Sequence, residues 1–278
     1  MFKTLLTLFA AFALATPLCA QPGEAPLDPD CPQGDLDTPR EPGSVCIGRL
    51  TDDYAFSVVI PARAAAVPRL DALLRNKALR AEVRFEAMIE ERRALGEPAS
   101  GRMSYEQGWR VDAYLPELVA LSSSAATYLG GAHGGMEYRQ LLFDRRRNRQ
   151  IALRDIFTIG AFEHDLLGGR PVGEGAVQRA FCRALRAEVR ERRDDPAATV
   201  DCPEALALPI TLICSPGGRI ETLRALVAPY IVGPWAEGPY EVDIPVDARM
   251  MAAVRRRFRP AFAVPGENRP RRLAQACN

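Results

Sequence analysis

Hydrophobic residues recur along this chain with two different periods, and the switches between them mark the elements. Tyr54-Ala55-Phe56-Ser57-Val58-Val59-Ile60 is rich in β-branched and aromatic side chains and stops at Pro61, which predicts a strand. From about Val67 to Leu95 the spacing lengthens. Leu70, Leu73, Leu74, Leu79, Val83, Phe85, Met88, Ile89 and Leu95 recur at mostly helical intervals, so one long amphipathic helix is expected, ended by Gly96 and Pro98. Its apolar stripe should lie on a sheet, with Glu82, Arg84, Glu86, Glu90, Glu91, Arg92 and Arg93 facing water. Four strands follow, at Trp109–Tyr114, Leu118–Ala126, Tyr138–Phe143 and Gln150–Leu153. The run Asp144-Arg145-Arg146-Arg147-Asn148-Arg149 reads as the hairpin turn between the last two.

Asp155-Ile156-Phe157 opens an irregular stretch that Gly168, Gly169, Pro171, Gly173 and Gly175 make loop-like. A second amphipathic helix is expected from about Ala176 to Arg193, stopped by Asp194-Asp195-Pro196. Strands at Leu208–Cys214, Ile220–Leu226 and Tyr240–Ile244 come next, then a terminal helix from Asp247 to Phe258. Strands grouped as antiparallel hairpins around two helices, without alternating βα units, predict an α+β fold of two sequential layers. Residues 21–48 carry six prolines among Asp and Gly and are expected to form a linker or a stapled loop.

The N-terminus changes the picture of where this fold works. Met1-Phe2-Lys3 precedes an apolar run from Thr4 to Ala15, and Leu18-Cys19-Ala20 precedes Gln21. One positive charge, a short apolar core and a small residue at the cut are the parts of a secretion signal, so residues 1–20 are expected to be removed. The run is shorter than the roughly 20 apolar residues a bilayer span needs. Leu18 stands where a lipoprotein signal needs a small residue, which argues against lipidation of Cys19. Six cysteines then remain: Cys31, Cys46, Cys182, Cys202, Cys214 and Cys277. An even number in an exported chain points to disulfides. Cys31 with Cys46, Cys182 with Cys202 and Cys214 with Cys277 is one arrangement among several. The sequence has no CxxC pair, and neither histidine lies at zinc-site spacing from a cysteine, so no metal and no cofactor is expected. Basic and acidic residues number 36 and 35, a balance that argues against a nucleic-acid partner.

Two clusters carry candidate chemistry. Tyr128-Leu129-Gly130-Gly131-Ala132-His133-Gly134-Gly135 joins two strands, so it is neither a phosphate loop nor a dinucleotide fingerprint, both of which need a helix behind the glycines. His133 is either a ligand contact or base, or an imidazole bonded to the backbone of a tight connection. Pro229-Tyr230-Ile231-Val232-Gly233-Pro234-Trp235-Ala236-Glu237-Gly238-Pro239-Tyr240 is a rigid loop bearing aromatic rings, suited to a binding edge or to packing over the core. The arginine runs 145–149 and 255–259 and the lone His164 are most simply solvated.

In their order and spacing these clusters, with Leu142-Phe143-Asp144 and Ile151-Ala152-Leu153-Arg154-Asp155-Ile156-Phe157 between them, resemble the extracytoplasmic domain shared by the anti-sigma factor RsiV and the N-terminal part of the peptidoglycan deacetylase PdaC. The likeness covers about residues 50–260. It implies two sequential subdomains, 50–127 and 128–260, each an antiparallel sheet packed by an amphipathic helix; the cysteine-bearing segment 21–49 and the tail 261–278 are additions to that pattern. It implies a non-enzymatic, periplasmic or secreted binding module, since in RsiV the domain binds lysozyme and in PdaC it is not the catalyst. The expected ligand is a lysozyme-like protein or a peptidoglycan fragment. The expected contacts are Gly130, Gly131, His133, Gly134, Tyr230, Trp235 and Glu237. The alternative is an envelope-glycan hydrolase or deacetylase with His133 as base, oriented by Asp144 or Asp155.

Overall fold

The computed structural model describes residues 41–96, 101–158, 165–167, 170–173 and 175–266. Its main feature is a six-stranded sheet in which β1 (Val45–Leu50), β2 (Tyr54–Ile60), β3 (Met103–Tyr114), β4 (Leu118–Tyr128), β5 (Gly135–Asp144) and β6 (Arg149–Ile151) lie side by side in chain order. Neighbours are antiparallel except β2 and β3, which run parallel with Val58 opposite Gln107. The exception has a length argument. Parallel strands need a crossover of a dozen or more residues, and the connection here holds a four-residue helical turn, α1 (Ala62–Ala65), and the long helix α2 (Pro68–Ala94). The expectation of hairpins alone is corrected at this point. So is the reading of 21–48 as lacking a regular element, because β1 begins at Val45 and pairs along its whole length with β2.

Pro68 sits in the first turn of α2, where its missing N–H costs nothing. The face of α2 that meets the sheet is made by Leu70, Leu74, Ala78, Ala81, Phe85 and Ile89. Leu79, Val83 and Leu95, assigned above to the apolar stripe, are exposed. Glu82, assigned to water, is buried and meets Arg49 of β1 at 2.8 Å. The two alanines explain the shift, since small side chains let the helix axis approach the sheet and rotate the larger Leu79 and Val83 outward. Beneath the helix, Phe85 meets the Tyr54 ring edge-on at 5.5 Å while Phe56 stacks on Tyr105 at 5.2 Å. Such pairs add about 0.5–1.5 kcal/mol each beyond their buried area.

The opposite face of the same sheet carries the second core. There β9 (Ile210–Cys214), β10 (Ile220–Val227) and β11 (Tyr240–Pro245) form a three-stranded antiparallel sheet in the order β11-β10-β9, with α4 (Ala176–Arg192) packed against β11. Ala120 and Leu142 of the large sheet share one apolar cluster with Phe181 and Leu185 of α4 and Leu212 and Leu223 of the small sheet. The two sheets are also joined by a polar contact. Thr211 donates at 2.6 Å to Asp112, whose other oxygen accepts from Arg110 at 2.8 Å. The large sheet runs unbroken across position 127, so β5 and β6 belong to the same sheet as β1–β4.

The connecting segment contains a short helix, α3 (Leu153–Ile156), and a two-stranded ribbon of β7 (Asp165–Leu167) and β8 (Arg170–Gly173), where a loop was expected. His164 lies outside the described residues. The terminal helix is shorter than expected: α5 covers Ala248–Ala253, with the Asp247 side chain capping Met250 N. Cys182 on α4 is bridged to Cys202. Cys46 and Cys214 are also disulfide-bonded, while Cys31 and Cys277 lie outside the described residues. Buried Gln178 organises the first bridge, donating to Pro203 O at 3.0 Å and accepting from Ala205 N at 2.7 Å. Among the described residues no helix is long and apolar enough to cross a membrane, and no cluster of side chains has the makings of a metal site.

Candidate functional site: an exposed aromatic clasp

The tips of two hairpins meet at one end of the fold. One tip joins β4 to β5 and holds the glycine cluster; the other joins β10 to β11 and holds the aromatic loop. The first is tight because the chain nearly touches itself. A Cβ at Gly134 would stand 2.9 Å from the Thr127 carbonyl oxygen, closer than real Cβ atoms come. Gly130 is buried, and its carbonyl accepts from Arg92 of α2 at 3.4 Å. Gly131 and His133 are exposed at the tip.

His133 Nδ1 lies 2.9 Å from the Gly134 carbonyl, an oxygen that can only accept, so Nδ1 carries the proton. The Tyr230 hydroxyl lies 3.3 Å from Nε2, 97 residues away in sequence. The imidazole also stacks on Trp235, with ring centroids 4.8 Å apart and planes 20° apart. Tyr230 and Trp235 lie 6.0 Å apart. The imidazole is thus bonded to the backbone of its own turn and lies in a surface cluster of rings.

Tyr230 is 64% exposed and has φ 71°, a left-handed conformation uncommon for a bulky residue. The loop imposes it, since Tyr230 N donates to Gly233 O at 2.9 Å. Such strain persists only where surrounding contacts over-determine it. Here the contacts come from the C-terminal end of α4. Arg193 grips both oxygens of Glu237, Nε to Oε1 at 3.1 Å and Nη2 to Oε2 at 3.0 Å. Arg192 donates to the carbonyls of Glu237 and Pro239, at 3.0 and 2.6 Å, and lies over the Tyr240 ring at 3.9 Å. Tyr240 donates a short hydrogen bond to the Glu237 carboxylate. A Cβ at Gly233 would overlap that carboxylate, so a larger residue there would push the Glu237 side chain out of its place. The bonds from Arg193 and then from Tyr240 hold the Glu237 carboxyl below its ordinary pKa. Burial and then the hydrogen bond to Glu237 push Tyr240 up, which keeps it the donor.

The candidate residues therefore separate by geometry. His133, Tyr230 and Trp235 present one aromatic surface, Gly130 and Gly134 shape the turn under it, and Glu237 faces back into the lock that holds the loop. The sequence reading missed Arg192 and Arg193; their only local signal is a pair of arginines in the last turn of a helix, which is common on solvated ends. The acids offered as partners for His133 lie elsewhere. Asp144 is nine residues up β5 from Gly135, about 30 Å along an extended strand. It accepts from Arg147 N at 3.0 Å at the far turn. Asp155 caps Ala152 N at 2.9 Å beside that same end of the sheet.

Two solved structures that this fold resembles are DUF3298 family proteins. One, from Pseudomonas aeruginosa PAO1, has a TM-score of 0.46 and is 16% identical, the match covering 80% of this chain and 97% of that one. The other, from Bacteroides fragilis NCTC 9343, has a TM-score of 0.43 and is 15% identical, covering 76% of this chain and 91% of that one. Neither likeness carries a residue role or an activity over to this chain. No family model and no curated protein matches it.

Proposed function

We propose that this chain is an exported binding module of the cell envelope that works without catalysis. Its binding surface is the clasp of His133, Tyr230 and Trp235, and its ligand is a lysozyme-like protein or a peptidoglycan fragment. One observation carries the reading. Two segments far apart in sequence converge to place three rings together at the surface, one of them held in a strained backbone conformation. Rings fixed in place offer a large contact area at small entropic cost. Support for export comes from the signal-like first twenty residues and from four cysteines outside them: the bridged pair Cys182 and Cys202 and the bonded Cys46 and Cys214, as expected of an oxidising compartment. The RsiV- and PdaC-like order of motifs supports the choice of ligand.

The test is a titration of the oxidised protein with a lysozyme and with soluble muropeptides. Wild type should bind one of them, and Trp235→Ala should lose about 2 kcal/mol or more, as central aromatic anchors do, while its melting curve stays cooperative. No affinity of the wild type for either ligand, or full affinity in the Trp235→Ala variant, sinks the reading.

A further inference from the structure

Below the clasp the two hairpins stand apart and enclose a cleft of about 220 Å3. Its floor is a row across four adjacent strands of the large sheet: Val59, Gly108, Ser124 and Tyr138, each opposite the next in register. Arg110 and Ser122, opposite each other, form the adjoining row. The facing wall is the pair Leu226 and Glu241 of β10 and β11, opposite each other on either side of the aromatic loop. Gly108 leaves the middle of the floor without a side chain, so the row is concave where the sheet face would otherwise be filled.

From this lining we infer a second site, a cleft that takes one ring of a neutral sugar, either free or as the end of a glycan chain. The inference deepens the binding reading above by naming the glycan arm of its ligand. The charges decide the class. Arg110 is held at 2.8 Å by buried Asp112, itself fixed by Thr211, so the cation is already neutralised and oriented. Glu241 is likewise paired with Arg224 at 2.8 Å. With Glu41 also in the lining, the cleft holds one guanidinium against two carboxylates and offers no net attraction to an anion such as phosphate. It does offer mixed donors and acceptors, as sugar hydroxyls require.

The hydroxyls of Ser122 and Ser124 line the cleft, and each can both donate and accept. The Tyr138 hydroxyl spends its proton on the Met136 sulfur at 3.1 Å, a weak acceptor that a sugar oxygen would outcompete. Burial, and then the charge of Glu241, push its pKa up, so it remains a donor. Val59, Pro61 and Leu226 supply apolar surface for the C–H face of a ring. The volume is below the roughly 300–1,000 Å3 of drug-sized pockets, which suits one ring and not several.

The experiment is an amide chemical-shift titration of the oxidised wild-type protein with N-acetylglucosamine, with its β-1,4-linked tetramer and with inorganic phosphate. Saturable shifts are expected at residues 108–110, 122–124 and 226 with both sugars and not with phosphate. A tetramer that binds tighter than the monomer identifies a chain end as the natural source; equal affinity identifies a free sugar. Ser124→Leu, which fills the floor, should weaken binding about tenfold or more, equivalent to about 1.4 kcal/mol, while Trp235→Ala should leave the monosaccharide affinity within about twofold, well under that. Sugar-induced shifts confined to residues 130–135 and 230–237, or no shifts with either sugar, overturn the cleft without touching the clasp. Cleft shifts in a protein whose envelope ligand ignores Trp235→Ala would instead uphold the cleft and remove the clasp. The wild-type map carries the result even where Ser124→Leu fails to fold.

Discussion

Replacing both Cys182 and Cys202 with alanine removes one cross-link and little else, and its cost follows from the chain. The bridge closes a loop between residues 20 apart in sequence. In the chain-entropy account, a loop of that length restrains the unfolded ensemble by roughly 3 kcal/mol at 25 °C. The folded state changes less. Gln178 keeps its bonds to Pro203 O and Ala205 N, so no buried polar group loses its main partner. Loss of the buried sulfurs adds about 1 kcal/mol of packing. Equilibrium unfolding in urea, with the other bridges intact, reads the sum. With a slope of about 3 kcal/mol/M, the midpoint should fall by about 1.3 M, and the melting temperature by about 8–16 °C. A loss under about 1 kcal/mol would show that the loop is already ordered in the unfolded chain, and the entropic argument would be refuted.

Three further outcomes follow from particular contacts. Gly134→Ala forces a Cβ onto the Thr127 carbonyl and should cost about 1–3 kcal/mol, whereas Gly131→Ala, whose nearest neighbour would be His133 O at 3.9 Å, should cost less; thermal melts of the pair check this. Gln178→Leu orphans Pro203 O and Ala205 N in a buried site and should cost about 1–3 kcal/mol for each group, read from urea midpoints. The Glu237 carboxyl has a folded pKa depressed below its unfolded value. The stability it lends the loop is therefore complete above the unfolded value of about 4.3 and is lost as pH falls through the folded one. Trp235 fluorescence, isolated by difference from Trp235→Phe, should show a transition below about pH 4.3. Glu237→Gln should abolish that transition, and a transition that survives the substitution would contradict the lock.

Local pattern accounts for most elements. The strand at 54–60, the helix from Pro68 that ends before Gly96, the turn at 144–149, the helix beginning at Ala176 and the last three strands all appear within a few residues of where the spacing puts them. Each has a local cause: a β-branched run, a capping or breaking residue, a period. The misses share the opposite character. β1 begins within the proline-rich stretch because its partner is β2, not because its own residues favour a strand. Ala78 and Ala81 are core because the sheet comes close enough to need small side chains, and Glu82 is buried because Arg49 arrives from another strand.

The candidate site divides the same way. The glycine turn and the aromatic loop were both legible as rigid, unusual segments, since glycine, proline and aromatic residues announce backbone constraint wherever they cluster. Their meeting was not legible, because nothing in residues 128–135 encodes contact with 229–240. Nor was the hold of Arg192 and Arg193 on Glu237, since an arginine at a helix end has no preferred partner until the fold supplies one. The sequence alone determined the elements, the export-like leader and the residues able to make a site. Tertiary structure decided which of those residues touch, because hydrogen bonds and ring stacking act over a few ångströms, and only the packing of two sheets brings positions a hundred residues apart within that range.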